Sequence, residues 1–71
     1  MSVDRITWFK TSATTWETPR SHRGYTAEIE YIGGTYTITI TGPGAPGPST
    51  FETLRNAKNF FRKYLFTKPV A

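Results

Sequence analysis

The adjacent glycines Gly33 and Gly34 constrain the fold of this chain more than any other feature, because a run of alternating polarity flanks them on each side. These runs cover residues 25–32 and 35–41. Two glycines supply the two positive φ angles that a type I′ turn requires. The segment is therefore predicted to form a tight antiparallel hairpin.

The register of this hairpin follows from its side chains. With the two glycines as the turn, alternate cross-strand pairs are apolar and share one face, whereas the pairs between them are polar and share the other. A shift of one residue would mix the two sets. The apolar pairs are Tyr31 with Tyr36, Ile29 with Ile38 and Ala27 with Ile40, and the polar pairs are Glu30 with Thr37, Glu28 with Thr39 and Thr26 with Thr41.

Length and composition indicate one small domain over residues 1–71. A core of this size supplies only about 3–5 kcal/mol of stability, so self-association or a partner is plausible. The chain has no cysteine, which excludes disulfides and thiolate metal sites and is typical of a reducing compartment. No apolar run resembles a signal peptide or a membrane span, so we expect a cytoplasmic protein that does not enter a membrane.

The net charge of +4 is unevenly distributed along the chain. Acidic and basic residues balance over residues 1–48, and the whole excess lies in the last third. An acidic partner is therefore predicted to contact the C-terminal segment. That segment contains Arg55, Lys58, Arg62, Lys63 and Lys68 against Glu52.

The segments before the hairpin are predicted to add strands to it. Residues 6–11 are rich in β-branched and aromatic residues, which favours a first strand, and a shorter second strand is expected around residues 14–18 before Pro19. The face that the first strand buries stays open, because Trp8 and Phe9 point in opposite directions.

Residues 42–48 contain three glycines and three prolines, which excludes regular hydrogen-bonded structure and indicates a connector between sheet and helix. Ser49 and Glu52 have the spacing of a capping box and predict that the helix begins at Ser49. Pro69 predicts that it ends near Phe66 or Thr67. The helical apolar stripe comprises Phe51, Leu54, Ala57, Phe61, Tyr64 and Leu65.

The predicted fold class is α+β, with an antiparallel sheet of three or four strands and one C-terminal helix packed on one face (βββα). Nothing else in the sequence is available to cover the opposite face. That face is expected to meet solvent or a binding partner.

Two groups of basic residues are candidates for binding phosphates. Arg55, Lys58 and Arg62 follow i, i+3, i+7 spacing on the predicted helix, with Lys63 and Phe66 close by. The alternative is a solvated helix face whose cations favour the helix dipole. Arg20 and Arg23 lie in a loop with His22 and Tyr25, where arginine could bind phosphates or a base edge; alternatively the loop is a polar connection with Tyr25 in the core.

Catalysis and metal binding have little support in the sequence. Glu28 and Glu30 project from the same strand face without companion ligands, and His22 is the single histidine. No Gly-x-Ser-x-Gly motif is present, and the prolines of residues 42–48 remove the amides that a phosphate loop needs. We expect a non-enzymatic protein without cofactor or metal.

The segment from Gly24 to Ile29, the glycine turn with its second strand, and residues 50–57 together resemble AP2-type and integrase arm-binding domains. This resemblance covers roughly residues 20–65 and implies a three-stranded sheet, backed by one helix, that enters the DNA major groove. The chain departs from that pattern because its free face bears Glu28 and Glu30, where the family has basic and aromatic residues.

Two hypotheses about function result. The first is a nucleic-acid-binding module, of phage or mobile-element type, in which Tyr25 or Phe66 stacks on a base. The alternative is a protein-interaction module or inhibitor that binds a partner, or a second copy as a homodimer, through the uncovered face or a hairpin edge. In the first hypothesis the phosphates are neutralised by Arg20, Arg23, Arg55, Lys58, Arg62 and Lys63.

Overall fold

The computed structural model describes residues 6–67, which form five strands followed by one helix. Each strand pairs in antiparallel fashion with its neighbours in the chain, giving the sheet order β1-β2-β3-β4-β5. The α+β class with one C-terminal helix is confirmed, whereas the sheet has five strands instead of three or four. The elements are β1 (Phe9–Ser12), β2 (Thr15–Glu17), β3 (Thr26–Ile32), β4 (Thr35–Thr41), β5 (Ser49–Phe51) and α1 (Leu54–Thr67).

The hairpin of β3 and β4 has the predicted turn and register. Gly33 and Gly34 have φ angles of 56° and 90°, as a type I′ turn requires. Ile29 lies opposite Ile38, and every other predicted cross-strand pair is also present. The alternation of side chains alone was therefore sufficient to define this part of the sheet.

The predicted helix start at Ser49 is wrong. Ser49 begins β5, and α1 begins at Leu54, where the backbone amide of Asn56 donates to Thr53 Oγ1 at 3.1 Å. Thr53 is therefore the helix cap in place of the pair of Ser49 and Glu52. The physical reason is the outer edge of β4, whose backbone groups need partners and receive them from the short strand β5. The expected stop at Pro69 lies outside the described residues.

Residues 42–48 contain no helix or strand and join β4 to β5. At the start of this segment Gly42 has a φ of 155°, and the ring of Tyr25 packs directly against it. The Tyr25 hydroxyl donates to the carbonyl of Pro43 at 2.6 Å. The Tyr64 hydroxyl donates to the next connector carbonyl, that of Gly44, at 3.3 Å, so two tyrosines bind the connector.

The core lies between the helix and one face of the sheet. Its largest fully buried side chains are Ile29, Ile38 and Phe61. Trp8 points toward this side, where its ring meets Phe61 edge to face with centroids 5.8 Å apart. Phe9 points the other way and is 57% exposed, which answers the question that the sequence left open about the first strand.

The opposite face of the sheet is rich in threonine and bears three carboxylates, on Glu17, Glu28 and Glu30. Glu17 and Glu28 are directly opposite each other on β2 and β3. No element within residues 6–67 packs on this uncovered face.

Candidate nucleic-acid interface

The solvent side of α1 presents an outer stripe made of Arg55, Asn59, Arg62 and Phe66. These residues recur at i, i+4, i+7 and i+11, so they share one side of the helix, opposite the side that faces the core. Lys63 is exposed next to the stripe. The helix has four cationic side chains and no carboxylate, and the acidic residue nearest to it in the chain is Glu52, two positions before α1.

A two-residue turn brings the loop before β3 to the end of this helix. The backbones of His22 and Tyr25 exchange two hydrogen bonds of 2.7 and 2.9 Å, and the turn between them consists of Arg23 and Gly24. Arg23 has a φ of 55°, the single positive value of a non-glycine residue in the described part of the chain. A left-handed conformation costs such a residue about 1–2 kcal/mol, so contacts elsewhere must hold Arg23 in place.

Those contacts are with the last turn of α1. Arg23 Nη1 donates to the carbonyl oxygen of Leu65 at 3.1 Å, and its guanidinium lies 5.4 Å from the centroid of the Phe66 ring. The guanidinium of Arg62 lies 5.7 Å from the same centroid. One half-exposed aromatic ring therefore brings together a cation from the loop and a cation from the helix.

Arg55, Arg62 and Lys63 are exposed, as they would be on the solvated helix face that the sequence left as an alternative. The last turn of α1 contains no basic residue of its own. Among the described residues, the cation at the carbonyl end of the helix is Arg23, from 42 positions earlier in the chain.

Two depressions adjoin the Phe66 ring. An open groove is lined by Asn59, Arg62, Lys63 and Phe66. A more enclosed cavity of about 210 Å³ is lined by Ile6, Ser21, His22, Arg23, Leu65 and Phe66. Phe66 belongs to both.

The other candidates from the sequence lie in different surroundings. Tyr25 is only 9% exposed, and its ring packs edge to face on Tyr64. It therefore belongs to the core and does not present its ring for stacking on a base. Lys58 is partly buried, with its ammonium 5.9 Å from the Trp8 ring. Arg20 is exposed between β2 and β3 and makes no hydrogen bond or ring contact within residues 6–67.

Neither protein-family models, nor curated proteins, nor solved structures gave a match. The resemblance to AP2-type and integrase arm-binding domains therefore stays a prediction, and the function has to be argued from the chain itself.

The residues weighed for catalysis are dispersed. Glu28 and Glu30 are exposed on the uncovered face, whereas His22 lies in the turn beside α1. Residues 6–67 contain no cluster of three or more His, Asp or Glu side chains with the geometry of a metal site. Across the same residues, no helix has the length and apolar character needed to cross a bilayer.

Proposed function

We propose that this chain is a small non-enzymatic nucleic-acid-binding module that contacts phosphates through the helix side of the molecule. The observation that supports it is the separation of charge between two faces. Four of the seven cationic side chains in residues 6–67 lie on α1 and Arg23 lies beside it, whereas three of the four carboxylates, those of Glu17, Glu28 and Glu30, lie on the uncovered face of the sheet. A polyanion that approaches α1 meets cations and no helix carboxylate.

The proposed contacts are arranged along the outer stripe. Arg55 and Arg62 are two turns apart, which separates them by about 10 Å along the helix axis. Arg23 extends the same side beyond the last turn of α1. A series of cations in line suits a backbone whose charges repeat regularly, and such contacts fix position without reading sequence. The proposed phosphate contacts are Arg23, Arg55, Arg62 and Lys63, with Arg20 and Lys58 at the margin.

The helix side is favoured over the sheet for an electrostatic reason. In the family that this chain resembles, the sheet is the surface that enters DNA. Here that surface bears Glu28 and Glu30 on adjacent outward positions of β3, and carboxylates near phosphates weaken binding. We therefore propose a different docking side even if the folds are related.

The experiment is a salt titration of binding, followed by fluorescence anisotropy of a labelled oligonucleotide. Wild type should bind at low salt. The logarithm of its binding constant should fall with the logarithm of the salt concentration, with a slope of several units. Replacing Arg62 with Gln should reduce that slope by about 0.7–0.9, the contribution of one phosphate contact. The matched control is Lys10→Gln, because Lys10 is exposed on β1, outside the proposed surface, and its loss should leave the slope unchanged.

Two results would overturn this proposal. One is the absence of binding at low salt. The other is an equal loss of slope for Arg62→Gln and Lys10→Gln, which would indicate attraction by net charge without a defined surface.

A second candidate function is protein interaction through the uncovered face. It is favoured by Phe9 and Ile32, which are 57% and 53% exposed there. The two side chains lie near opposite ends of the sheet and do not form one apolar surface, so we rank this function second. Sedimentation that finds a monomer at every concentration, with unchanged behaviour of Phe9→Ser, would exclude self-association through this face.

A further inference from the structure

The cavity beside Phe66 has the size and lining of a site for one small flat group. Pockets for drug-sized ligands measure about 300–1,000 Å³, and this cavity, at about 210 Å³, is smaller. Ile6, Leu65 and Phe66 provide apolar walls, and polar atoms come from the loop at residues 21–23. A ring system with a polar edge matches this lining.

His22 provides an independent sign that a ligand belongs here. Its Nε2 atom is buried and has no hydrogen-bond partner within residues 6–67. Buried polar atoms are nearly always paired, so an unpaired one calls for an explanation. The atom has almost no accessible surface, so a ligand in the cavity reaches it only when the imidazole ring turns. The ring meets Phe61 edge to face at 6.3 Å, and that contact changes in the turn.

Phe66 connects this cavity with the proposed phosphate surface. The ring is 50% exposed, and it lines both the cavity and the open groove with Arg62 and Lys63. Aromatic rings and guanidinium planes are the surfaces on which unpaired bases stack. The guanidinium groups of Arg23 and Arg62 already lie over this ring. A base that leaves its strand at this point would therefore take the place of the Arg23 guanidinium on Phe66, with Arg62 and Lys63 beside it for the flanking phosphates.

We infer that the ligand is a single-stranded nucleic acid, with one unstacked base seated in the cavity beside Phe66 and His22. This inference rests on the proposed function. When the imidazole turns toward the cavity, the base edge supplies the partner that His22 Nε2 lacks, because bases present both donors and acceptors on their edges. Arg62 and Lys63 contact the adjacent phosphates. A duplex is a poorer ligand, since its bases would first have to be unpaired and unstacked.

The test compares three probes of equal length at one salt concentration: a mixed-sequence DNA single strand, the corresponding duplex, and an abasic strand with the same phosphates. The single strand should bind about tenfold or more tightly than either of the others, as expected for base stacking. Equal affinity for the three probes would overturn the inference and leave the proposed function standing. Failure of all three to bind at low salt would overturn both.

Two variants separate stacking from charge. Phe66→Leu should weaken single-strand binding about tenfold while leaving the salt slope intact, because it removes a ring and no charge. Phe9→Leu is the matched control, since Phe9 is similarly exposed on the other face and its loss should have no effect. Equal affinities for the two variants would overturn the inference.

A spectroscopic measurement reports on the cavity directly. The imidazole nitrogen resonances of His22 should shift when the single strand is added and should stay in place with the abasic strand. His22→Phe should retain the fold and reduce the preference for the single strand. Binding without any shift of the His22 resonances would show that the bases bind elsewhere and would overturn the proposed base site.

Discussion

Arg23 and Leu65 are 42 positions apart in the chain, yet Arg23 Nη1 donates to the carbonyl oxygen of Leu65 at 3.1 Å. The bond pairs a carbonyl that the end of a helix leaves without an internal partner. It also explains why a residue as large as arginine stands in the left-handed region of a tight turn. The turn position and the helix end are therefore one structural unit.

Arg23→Asn should separate the two roles of this residue. Asparagine is favoured in the left-handed turn, which offsets part of the lost hydrogen bond to Leu65, so the free energy of unfolding should fall by no more than about 1–2 kcal/mol. The salt slope of nucleic-acid binding should decrease by about the contribution of one phosphate contact. Chemical denaturation and the salt titration measure the two effects.

Arg20→Asn is the control for this change. Arg20 is exposed and makes no hydrogen bond, ion pair or ring contact in the described residues, so the stability of this variant should stay within about 0.5 kcal/mol of wild type. Identical stability losses for both variants would show that the contact with Leu65 does not contribute to the free energy of unfolding.

Gly42→Ala should be strongly destabilising. A Cβ at this position would stand 2.7 Å from Tyr25 Cε1, and the φ of 155° is unfavourable for alanine. Overpacking of this kind costs about 1–3 kcal/mol, a large part of the stability of a domain this small. Gly47→Ala is the matched control, because a Cβ there has open space, and thermal unfolding of the pair should differ by many degrees. Similar melting temperatures would contradict the packing of Tyr25 on the connector.

Thr53→Ala should lower the free energy of unfolding by about 1 kcal/mol, because Thr53 Oγ1 caps the amide of Asn56. Ser49→Ala should have a much smaller effect, since Ser49 lies in β5 and does not cap α1. Urea denaturation of the two variants decides between this helix start and the one that the sequence predicts. A larger effect at Ser49 would favour the earlier start.

Glu17→Lys should stabilise the sheet. Glu17 and Glu28 are directly opposite on adjacent strands, and replacing a like-charge pair with an opposite one contributes about 0.2–1 kcal/mol. The gain should diminish at high salt because both side chains are exposed. Glu30→Lys is the control, since Glu30 faces Thr15 and Thr37, and its gain should be smaller. Equal gains would indicate a general effect of net charge.

Much of the sheet could be predicted because its information is local. The alternation around Gly33 and Gly34 defined the register of β3 and β4 without knowledge of any other segment. The apolar stripe of the helix could also be predicted from Ala57 to Leu65, because the helical spacing repeats within the element itself.

The rest could not be predicted because it depends on distant partners. Ser49 has helix-capping chemistry, but the unpaired edge of β4 recruits it into a strand. The basic residues of the candidate interface were visible in the sequence, whereas the joining of Arg23 to Phe66 and the cavity at His22 arise only when the loop and the helix end meet. The positive φ of Arg23 has no signal in composition or periodicity, although the adjacent Gly24 favours such a turn.

The order of strands also has a consequence for the folding route. Every strand pairs only with its sequence neighbours, so the sheet can assemble from the central hairpin outward by short loop closures, which favours rapid folding. The helix follows all five strands, and until it docks, Ile29 and Ile38 have nothing to shield them from water. Docking of α1 is therefore the step that buries the apolar face of the sheet, which until then is exposed and prone to association.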